Sequence, residues 1–412
     1  MRIYLILYGL AYCAAFCPSS NLQLGRCREQ QGYLTNGVSA RPRRIGKLQL
    51  NAEPGPVEEA ERIERLAAEV SVVKEDAVWF CLVALLQTLP LVSLEREVAL
   101  LYFGAMAVLT VYLGCKRIII PGERQEIGSQ QASLAPVLSS VSLFGLYLIL
   151  KNTSLDPGTV YRFVATGIGM VCAAGVGGGV IAAALPEKMR FSSYSIPGSL
   201  QGVYGLTRDG LPNLIAGALG LAAGLIYLAP GMDLHYTFVL SNLMAFFIAL
   251  QTIGVISLES FTTAVVFLTG LFLYDIWWVN FSEVMVTVAT TIEAPVKLIY
   301  PLPPGIERAY DFSILGLGDL VIPAVFCSMM KNMDQAFDRD GEKRPDKLRY
   351  FEASIAGYAA GLAVCFYANW VTGAGQPALL FLCPSLVASA ILVGLNNGEV
   401  QRVLSFSQRA PN

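Results

Sequence analysis

Two aspartates lie inside apolar segments, where an ionisable side chain is costly. Asp275 occurs in the segment TGLFLYDIWW (269–278) and Asp319 in the segment ILGLGDLVIP (314–323). Neither segment contains a lysine or arginine that could neutralise the acid. Because acids at membrane depth are rare and usually serve function, Asp275 and Asp319 are the candidate catalytic residues.

A pair of carboxyls on neighbouring helices could work as an acid and a base. Like charges that lie close together disfavour double ionisation, so the pair would share one proton. The ionised carboxylate would activate a water molecule, and the protonated carboxyl would donate a hydrogen bond to the scissile carbonyl. We therefore expect an aspartyl protease that requires no metal ion and no organic cofactor.

Other catalytic chemistry has little support in the chain. His235 is the single histidine of the sequence, which excludes a two-histidine metal site and also a Ser-His-Asp triad, unless His235 itself serves in it. Its polar neighbours indicate an ordinary interfacial residue. The nine cysteines show no C-x-x-C spacing, and we interpret them as small buried side chains.

Small residues and a proline accompany the candidate acids. Gly316 and Gly318 remove side chains just before Asp319, so a substrate backbone or a partner helix could approach closely. Pro377 lies at the start of the last apolar run, where it would loosen the helix and leave backbone groups free for a substrate. Taken singly, each pattern is more often a packing element or a helix start.

The composition is that of a polytopic membrane protein. Of 412 residues, 54% are hydrophobic and 15% charged, with a mean hydropathy of +0.54, and the apolar residues fall in runs of about twenty. The net charge of -2 gives no indication of nucleic-acid binding. The run at 78–94 is short and contains Gln87 and Pro90, so it could be re-entrant or interfacial. The predicted spans, nine or ten in all, are 78–94, 98–115, 134–150, 161–185, 214–228, 236–256, 261–278, 312–330, 353–370 and 377–395.

Basic residues divide unequally between alternate connections when the spans are counted from residue 98. One side holds Lys116, Arg117, Arg124, Lys188, Arg190, Arg208, Lys331, Arg339, Lys343, Arg344, Lys347, Arg349, Arg402 and Arg409. The opposite side holds little beyond Lys151, Lys297 and Arg308. The positive-inside rule then predicts a cytosolic C-terminus and places the segment between the two aspartates on the far side. The polar stretch 334–349 is predicted to be a solvated loop.

Three motifs in a fixed order resemble the signal peptide peptidase family: Tyr274-Asp275, the Gly316 to Asp319 sequence GLGD, and the Gln376 to Leu379 sequence QPAL. The resemblance extends over 271–301, including VMVTVA (284–289) and EAPVKL (293–298), and over 312–324 and 376–384. It covers about 261–399 closely and 134–172 loosely, and residues 1–97 not at all.

The resemblance implies an all-α polytopic membrane protein with a presenilin-like bundle of nine transmembrane helices, with one possible extra N-terminal hydrophobic helix. It implies an aspartic endopeptidase that cuts within transmembrane helices, such as remnant signal peptides and type II membrane proteins, after local unwinding of the substrate helix. The implied site comprises the catalytic Asp275 and Asp319, the supporting Tyr274, Gly316, Leu317 and Gly318, and the substrate-positioning Gln376, Pro377, Ala378 and Leu379.

Three alternatives have weaker support. Presenilins share the motifs but carry a long loop between their aspartates, whereas here about forty residues separate the two. A proton-coupled transporter would also use intramembrane aspartates, but it would usually show two similar halves, and no convincing repeat is present. A catalytically silent membrane chaperone is disfavoured by the intact aspartates and glycines.

The N-terminal region allows two interpretations. Residues 1–16 are typical of a signal peptide. Residues 17–76 contain a basic stretch, followed by a charged helix; the basic stretch either resembles a plastid transit peptide, which would give a two-part leader, or is a disordered lumenal arm after a plain signal peptide. We expect an endoplasmic reticulum or other endomembrane location, with a plastid membrane as the alternative. The remaining predicted regions are the N-terminal membrane helices (77–260), the catalytic membrane region (261–399) and a tail (400–412). The expected partners are transmembrane-helix substrates and the lipid bilayer, and the oligomeric state is left open.

Overall fold

The computed structural model describes residues 70–408 apart from 72, 93–94, 118–124, 153–156, 187–210, 232–233, 281–283, 285–286, 289–291, 303–311, 340–347 and 373–375. The predicted signal-like segment, the transit-like stretch and the charged helix at 58–69 therefore lie outside the described residues, as does the end of the tail at 409–412.

The chain is a bundle of helices with two small strand pairs. In order, the elements are α1 (Ala77–Val92), α2 (Arg96–Lys116), β1 (Gln125–Ile127), α3 (Ser129–Asn152), α4 (Pro157–Ala184), α5 (Leu211–Leu228), α6 (Leu234–Val255), β2 (Ile256–Leu258), α7 (Phe261–Asn280), β3 (Lys297–Pro301), β4 (Phe312–Gly316), α8 (Gly318–Arg339), α9 (Tyr350–Thr372), α10 (Leu379–Asn397) and α11 (Val400–Leu404).

Eight helices of the described chain are long and apolar enough to cross a membrane, namely α2 to α7, α9 and α10. Many of their apolar side chains face outward, as expected of surfaces in contact with lipid. Among the described residues α8 packs between them as a ninth long helix, and it is less apolar than the eight. That α8 crosses the membrane as a ninth span stays a prediction. The extra run at 78–94 forms α1, a shorter apolar helix that packs against α2 and α6.

The central helix is α8. It contacts α2, α6, α7, α9 and α10, and every residue from Leu317 to Met330 is buried. Because neighbouring helices, rather than lipid, surround this part of α8, it can carry Asp319 near its start and charged residues in its last turns. This shielding explains why α8 lacks the uniform hydropathy of the other spans.

One predicted span is wrong in its first part. Residues 312–316 form strand β4, not a helix, and α8 begins only at Gly318. β4 pairs antiparallel with β3, with Lys297 opposite Gly316 and Pro301 opposite Phe312. The β-branched and aromatic residues of this segment favour a strand, and the two glycines disfavour helix propagation between it and α8.

The predicted loop at 334–349 is also wrong in its first part, because α8 continues to Arg339. Asp334 is only 9% exposed, and its carboxylate oxygens accept hydrogen bonds from the backbone N–H groups of Tyr350 (3.1 Å) and Phe351 (2.9 Å). These are N–H groups of the first turn of α9, which have no acceptor within their own helix. Asp334 thus fixes the start of α9 to α8.

Two of the basic residues predicted to share one side of the membrane lie near the end of α2. Lys331 in α8 donates to the carbonyl of Cys115, near the end of α2, at 2.8 Å. The next residue, Lys116, forms an ion pair with Asp76 at 3.0 Å. Cations near a helix C-terminus bond its unpaired carbonyls and interact favourably with the helix dipole.

Candidate active site

Asp275 lies in α7 and is fully buried, with 0% exposure. Its Oδ2 accepts a hydrogen bond from the backbone N–H of Leu379 at 3.0 Å. Leu379 is the first residue of α10. The contact therefore joins the Tyr-Asp motif directly to the Pro-Ala-Leu motif, as we expected of residues in one site.

The start of α10 offers a favourable environment for a negative charge. The first N–H groups of a helix have no acceptor within the helix, and the helix dipole is positive at this end. Pro377 and Ala378 bring the chain into α10, and their carbonyls accept the N–H groups of Leu380 and Phe381, both at 3.1 Å. We expected Pro377 to leave backbone groups free for a substrate; one backbone group just after it, the Leu379 N–H, binds Asp275.

Gln376 takes a different direction from the other residues of this motif. Its Nε2 donates to the Thr372 hydroxyl at 2.9 Å, which links the motif to the end of α9. The predicted role of Gln376 in substrate positioning therefore has no geometric support from a contact with Asp275.

Asp319 is the second residue of α8 and is 3% exposed. A tight turn between β4 and α8 precedes Asp319 and sets its position. The N–H of Leu317 donates to the carbonyl of Val296 at 3.2 Å, and the carbonyl of Leu317 accepts the N–H groups of Leu320 and Val321. Leu317 itself is 1% exposed, so the middle residue of the Gly-Leu-Gly sequence anchors the turn in the core.

The two helices that carry the acids are in contact, and both also contact α10. The candidate site is therefore bounded by α7, α8 and the start of α10, within one continuous apolar core that includes Leu271, Tyr274, Leu320 and Leu379. The structure thus brings together the elements that carry all three motifs. The surroundings of the two acids are mostly buried apolar side chains, and electrostatic interactions are stronger in such a low-dielectric environment.

Tyr274, the neighbour of Asp275, packs against an aromatic residue of its own helix. Its ring meets the ring of Trp278 edge-on, with 6.4 Å between centroids. The indole N–H of Trp278 in turn donates to the Ser140 hydroxyl of α3 at 3.1 Å. This chain of contacts fixes the rotation of α7 relative to α3, and so the direction in which Asp275 projects.

Asn242 of α6 is a site residue that the sequence analysis missed. It is fully buried, and its side-chain amide bonds both backbone groups of Ile299 in β3, with its Oδ1 accepting from the N–H and its Nδ2 donating to the carbonyl, each at 2.8 Å. The second Nδ2 hydrogen goes to the Tyr102 hydroxyl at 2.9 Å, which donates to Gln87 of α1 at 3.3 Å. The sequence feature that could have revealed this residue is that it is polar and lies inside the apolar run 236–256.

Tyr358 is a second residue that was missed. This fully buried side chain of α9 donates its hydroxyl to the backbone carbonyl of Asp319 at 3.1 Å. No spacing in α9 predicts this contact. The sequence feature that could have indicated an outside donor is in α8, where Pro323 lies four residues after Asp319.

Lys297 lies beside the turn that leads to Asp319, as the register partner of Gly316. It is 2% exposed, and its Nζ donates to the carbonyl of Ile292 at 3.0 Å. Burial lowers the pKa of Lys297 to about 8, and the Glu293 carboxylate acts in the opposite direction. Within the described ranges, no group of three or more His, Cys, Asp or Glu residues is arranged to hold a metal ion.

Comparisons with known proteins agree with this geometry. The family model for signal peptide peptidase matches residues 121–410. Signal peptide peptidase of Mus musculus is 30% identical over 325 residues, which is 76% of this chain and 81% of that protein. The human signal peptide peptidase is 29% identical over 334 residues, with the same coverage of both chains. A probable intramembrane protease of Schizosaccharomyces pombe is 28% identical over 307 residues, 74% of this chain and 92% of the relative.

No solved structure matches the chain. The family model covers α3 to α11 and leaves α1 and α2 in front of the matched region. The buried acids on contacting helices, the membrane-spanning bundle and the extent of these matches lead to one conclusion: the chain belongs to the signal peptide peptidase family of intramembrane-cleaving aspartyl proteases.

Proposed function

We propose that Asp275 and Asp319 are the catalytic pair with which this intramembrane protease hydrolyses peptide bonds inside transmembrane helices. The observation that carries the proposal is the hydrogen bond from the Leu379 N–H to Asp275, at the meeting point of α7, α8 and α10. It places one of the two buried acids at the junction of the three elements that carry the motifs, as a shared catalytic site requires.

One carboxyl of the pair is ionised in the resting enzyme and the other holds the shared proton. The Leu379 N–H and the positive end of α10 favour a negative charge on Asp275, and the positive end of α8 favours one on Asp319. The protonated carboxyl donates a hydrogen bond to the scissile carbonyl oxygen. The ionised carboxylate removes a proton from a water molecule, which attacks the carbonyl carbon and forms a tetrahedral intermediate. This proton then passes to the leaving amine, and the pair returns to its singly protonated state.

The substrate backbone needs hydrogen-bond partners once its helix is unwound at membrane depth. Ile299 directs both backbone groups toward Asn242, so the register pair Ile299 and Ile314 does not exchange ladder hydrogen bonds. The backbone groups of Ile314 therefore point away from β3. We infer that an unwound substrate segment pairs with this outer edge of β4, which leads through Gly316 to the acids.

The substrates we propose are transmembrane helices, including remnant signal peptides and type II membrane proteins. The proposed location of this multi-pass protein is the endoplasmic reticulum or another endomembrane, with a plastid membrane as the alternative through the two-part leader. A fluorescent fusion of residues 1–60 distinguishes the two, because import into plastids depends on the leader alone.

The test is cleavage of a signal-peptide-like transmembrane substrate by the purified full chain in detergent. Wild type is compared with Asp275→Asn and Asp319→Asn, since an amide keeps the shape of the side chain but cannot ionise or give up a proton as a carboxyl does. A matched control is Asp338→Asn, an acid near the far end of α8 that pairs with Arg349.

We expect wild type and the Asp338 variant to cut, and both catalytic variants to lose a factor of about 10² to 10⁴ or more in rate. The amide oxygen introduced by Asp275→Asn can still accept the Leu379 N–H, so this variant should fold normally. Cleavage by either catalytic variant at the wild-type rate, or a folded wild type that is inert on several such helices, overturns the assignment.

A further inference from the structure

The backbone of Asp319 lies at a break in the hydrogen bonding of its helix. In an α-helix the carbonyl of residue i accepts the N–H of residue i+4. For Asp319 that residue is Pro323, which has no N–H and whose ring pushes the carbonyl four residues earlier away from the helix axis. The bond that would tie the first turn of α8 to its second turn at this position is therefore absent for covalent reasons.

Tyr358 supplies a donor from another helix to this carbonyl. Its hydroxyl donates to the Asp319 oxygen at 3.1 Å, and its side chain is fully buried. Because a buried carbonyl without a donor is costly, this contact is favoured wherever the proline is present. The tyrosine thus replaces, across the interface between α8 and α9, the bond that Pro323 removes.

The start of α9, the helix that carries Tyr358, is also bonded to α8. Asp334 of α8 accepts the first N–H groups of α9 at Tyr350 and Phe351. Tyr358 lies about two turns farther along α9. The two helices are therefore joined at two levels, once by a carboxylate from α8 and once by a hydroxyl from α9.

We propose that Tyr358 is a positioning residue for catalysis. Its hydroxyl holds the first turn of α8 in place before Pro323 and so directs the Asp319 carboxyl toward Asp275. The inference rests on the proposed function of Asp319. A proline within a helix is a point at which the helix bends. Without the tyrosine hydroxyl, the turn that carries Asp319 moves relative to Asp275. Misplacement of a reacting group by about 1 Å can lower the rate by a factor of about 10².

The proline makes a rescue experiment possible. Tyr358→Phe removes the hydroxyl and keeps the ring, whereas Pro323→Ala restores an N–H that can bond the Asp319 carbonyl within α8. The four proteins of the cycle are wild type, each single variant and the double variant. Tyr367→Phe, on the same helix but 65% exposed, is the matched control for loss of a tyrosine hydroxyl.

We expect Tyr358→Phe to fold and to lower kcat by a factor of about 10 to 100 while KM changes by less than about threefold. In the Pro323→Ala background, the same substitution should cost less than about threefold. The Tyr367 control should match wild type. An equal loss in both backgrounds, or no loss in either, overturns the proposal, because only a hydroxyl that substitutes for the missing N–H is made redundant by Pro323→Ala.

A second measurement keeps this inference separate from the catalytic assignment. Amide hydrogen exchange of residues 318–324 should be faster in Tyr358→Phe than in wild type, and slow again in the double variant. This readout decides the question even if wild type is inert on every substrate or Pro323→Ala is itself inactive. Unchanged exchange in Tyr358→Phe contradicts the proposal, whereas loss of cleavage by wild type would contradict only the proposed function.

Discussion

Two ionisable residues near the catalytic turn are buried by different means. Asp275 accepts a backbone N–H at the positive end of α10, so the start of a helix supplies part of what water would otherwise give the carboxylate. Lys297 donates to a backbone carbonyl and is mostly protonated at physiological pH, although burial lowers its pKa to about 8.

The lowered pKa of Lys297 predicts a pH-dependent stability. Its ordinary pKa is 10.5, so between about pH 8 and pH 10.5 the unfolded chain binds a proton that the folded chain does not. The free energy of unfolding should therefore rise with pH across this window, by at most about 3 kcal/mol. Below about pH 8 both states are protonated and this contribution is absent.

Thermal unfolding in detergent at several pH values, comparing wild type with Lys297→Met, measures the effect. Because other groups titrate in both proteins alike, the difference between the two curves isolates Lys297. We expect the methionine variant to be relatively more stable at pH 7 than at pH 10. If the difference in stability between the two proteins does not vary with pH, folding does not lower the pKa of Lys297.

At the scale of single elements, the β3 and β4 hairpin depends on a side chain from α6. The Asn242 amide offers one acceptor and two donors, and it meets one donor and two acceptors. Asn242→Asp keeps the shape but places a carboxylate oxygen against the Ile299 carbonyl and leaves that carbonyl without its donor. We expect it to destabilise the protein by about 1–3 kcal/mol and to reduce cleavage, since β4 leads into the turn of Asp319.

Thr252→Val is the control for Asn242→Asp. Thr252 is a buried residue of the same helix whose hydroxyl bonds the carbonyl of Ile248, within α6. Unfolding temperature and cleavage rate are measured for both variants. If Thr252→Val reduces cleavage as much as Asn242→Asp, the effect belongs to α6 as a whole and the hairpin contact has no special part in it.

The close packing of α9 on α10 gives a second prediction at this scale. A Cβ at Gly361 would fall on the Ser385 hydroxyl and lie 3.0 Å from the Phe381 carbonyl. Gly361→Ala should therefore push α10 away from α9, displace Leu379 from Asp275, and lower stability by about 1–3 kcal/mol. Gly167→Ala, where a Cβ meets nothing within 4 Å, should leave stability unchanged or slightly raised.

Cleavage rate and unfolding temperature are compared for the two alanine variants. A displaced α10 should reduce the rate of Gly361→Ala beyond its loss of folded protein, because the Leu379 N–H no longer reaches Asp275. Equal behaviour of the two variants would show that the interface of α9 and α10 tolerates an extra methyl group.

The elements were predictable from sequence where burial in lipid dictates their composition, and less so where protein surrounds them. The eight long apolar helices follow from hydropathy, and Asp275 and Asp319 follow from their charge within such runs. Residues 312–316 are mostly apolar too, so hydropathy alone could not show whether they form a strand or part of a transmembrane helix. They form a strand because they pair with β3, and the sequence pattern does not reveal that contact. Asn242 and Tyr358 were missed for the same reason, since their partners are backbone groups of other elements.

On the scale of the whole molecule, one group of charged residues lies well away from the two candidate acids. Lys331, Lys116 and Asp76 lie together at the end of α2, whereas Asp319 is in the first turn of α8, about 18 Å from Lys331 along that helix. If the basic end faces the cytosol, the acids lie toward the far side of the membrane. Substrate helices would then be cut in the part nearer that side.

The orientation can be tested by inserting glycosylation sequons into two connections. The background carries Asn152→Gln and Asn280→Gln, which remove the native N-x-S/T sequons at 152–154 and 280–282. A sequon within 303–311 should be glycosylated in microsomal membranes, because the positive-inside rule places the segment between the acids in the lumen. A sequon within 340–347 should stay unmodified. The reverse pattern would invert the bundle and would place the catalytic acids toward the cytosolic side. One insertion lies in the connection between β3 and β4 and the other between α8 and α9, and both are outside the motifs. Each variant should therefore still cut the signal-peptide-like substrate, which shows that the orientation was measured on active protein.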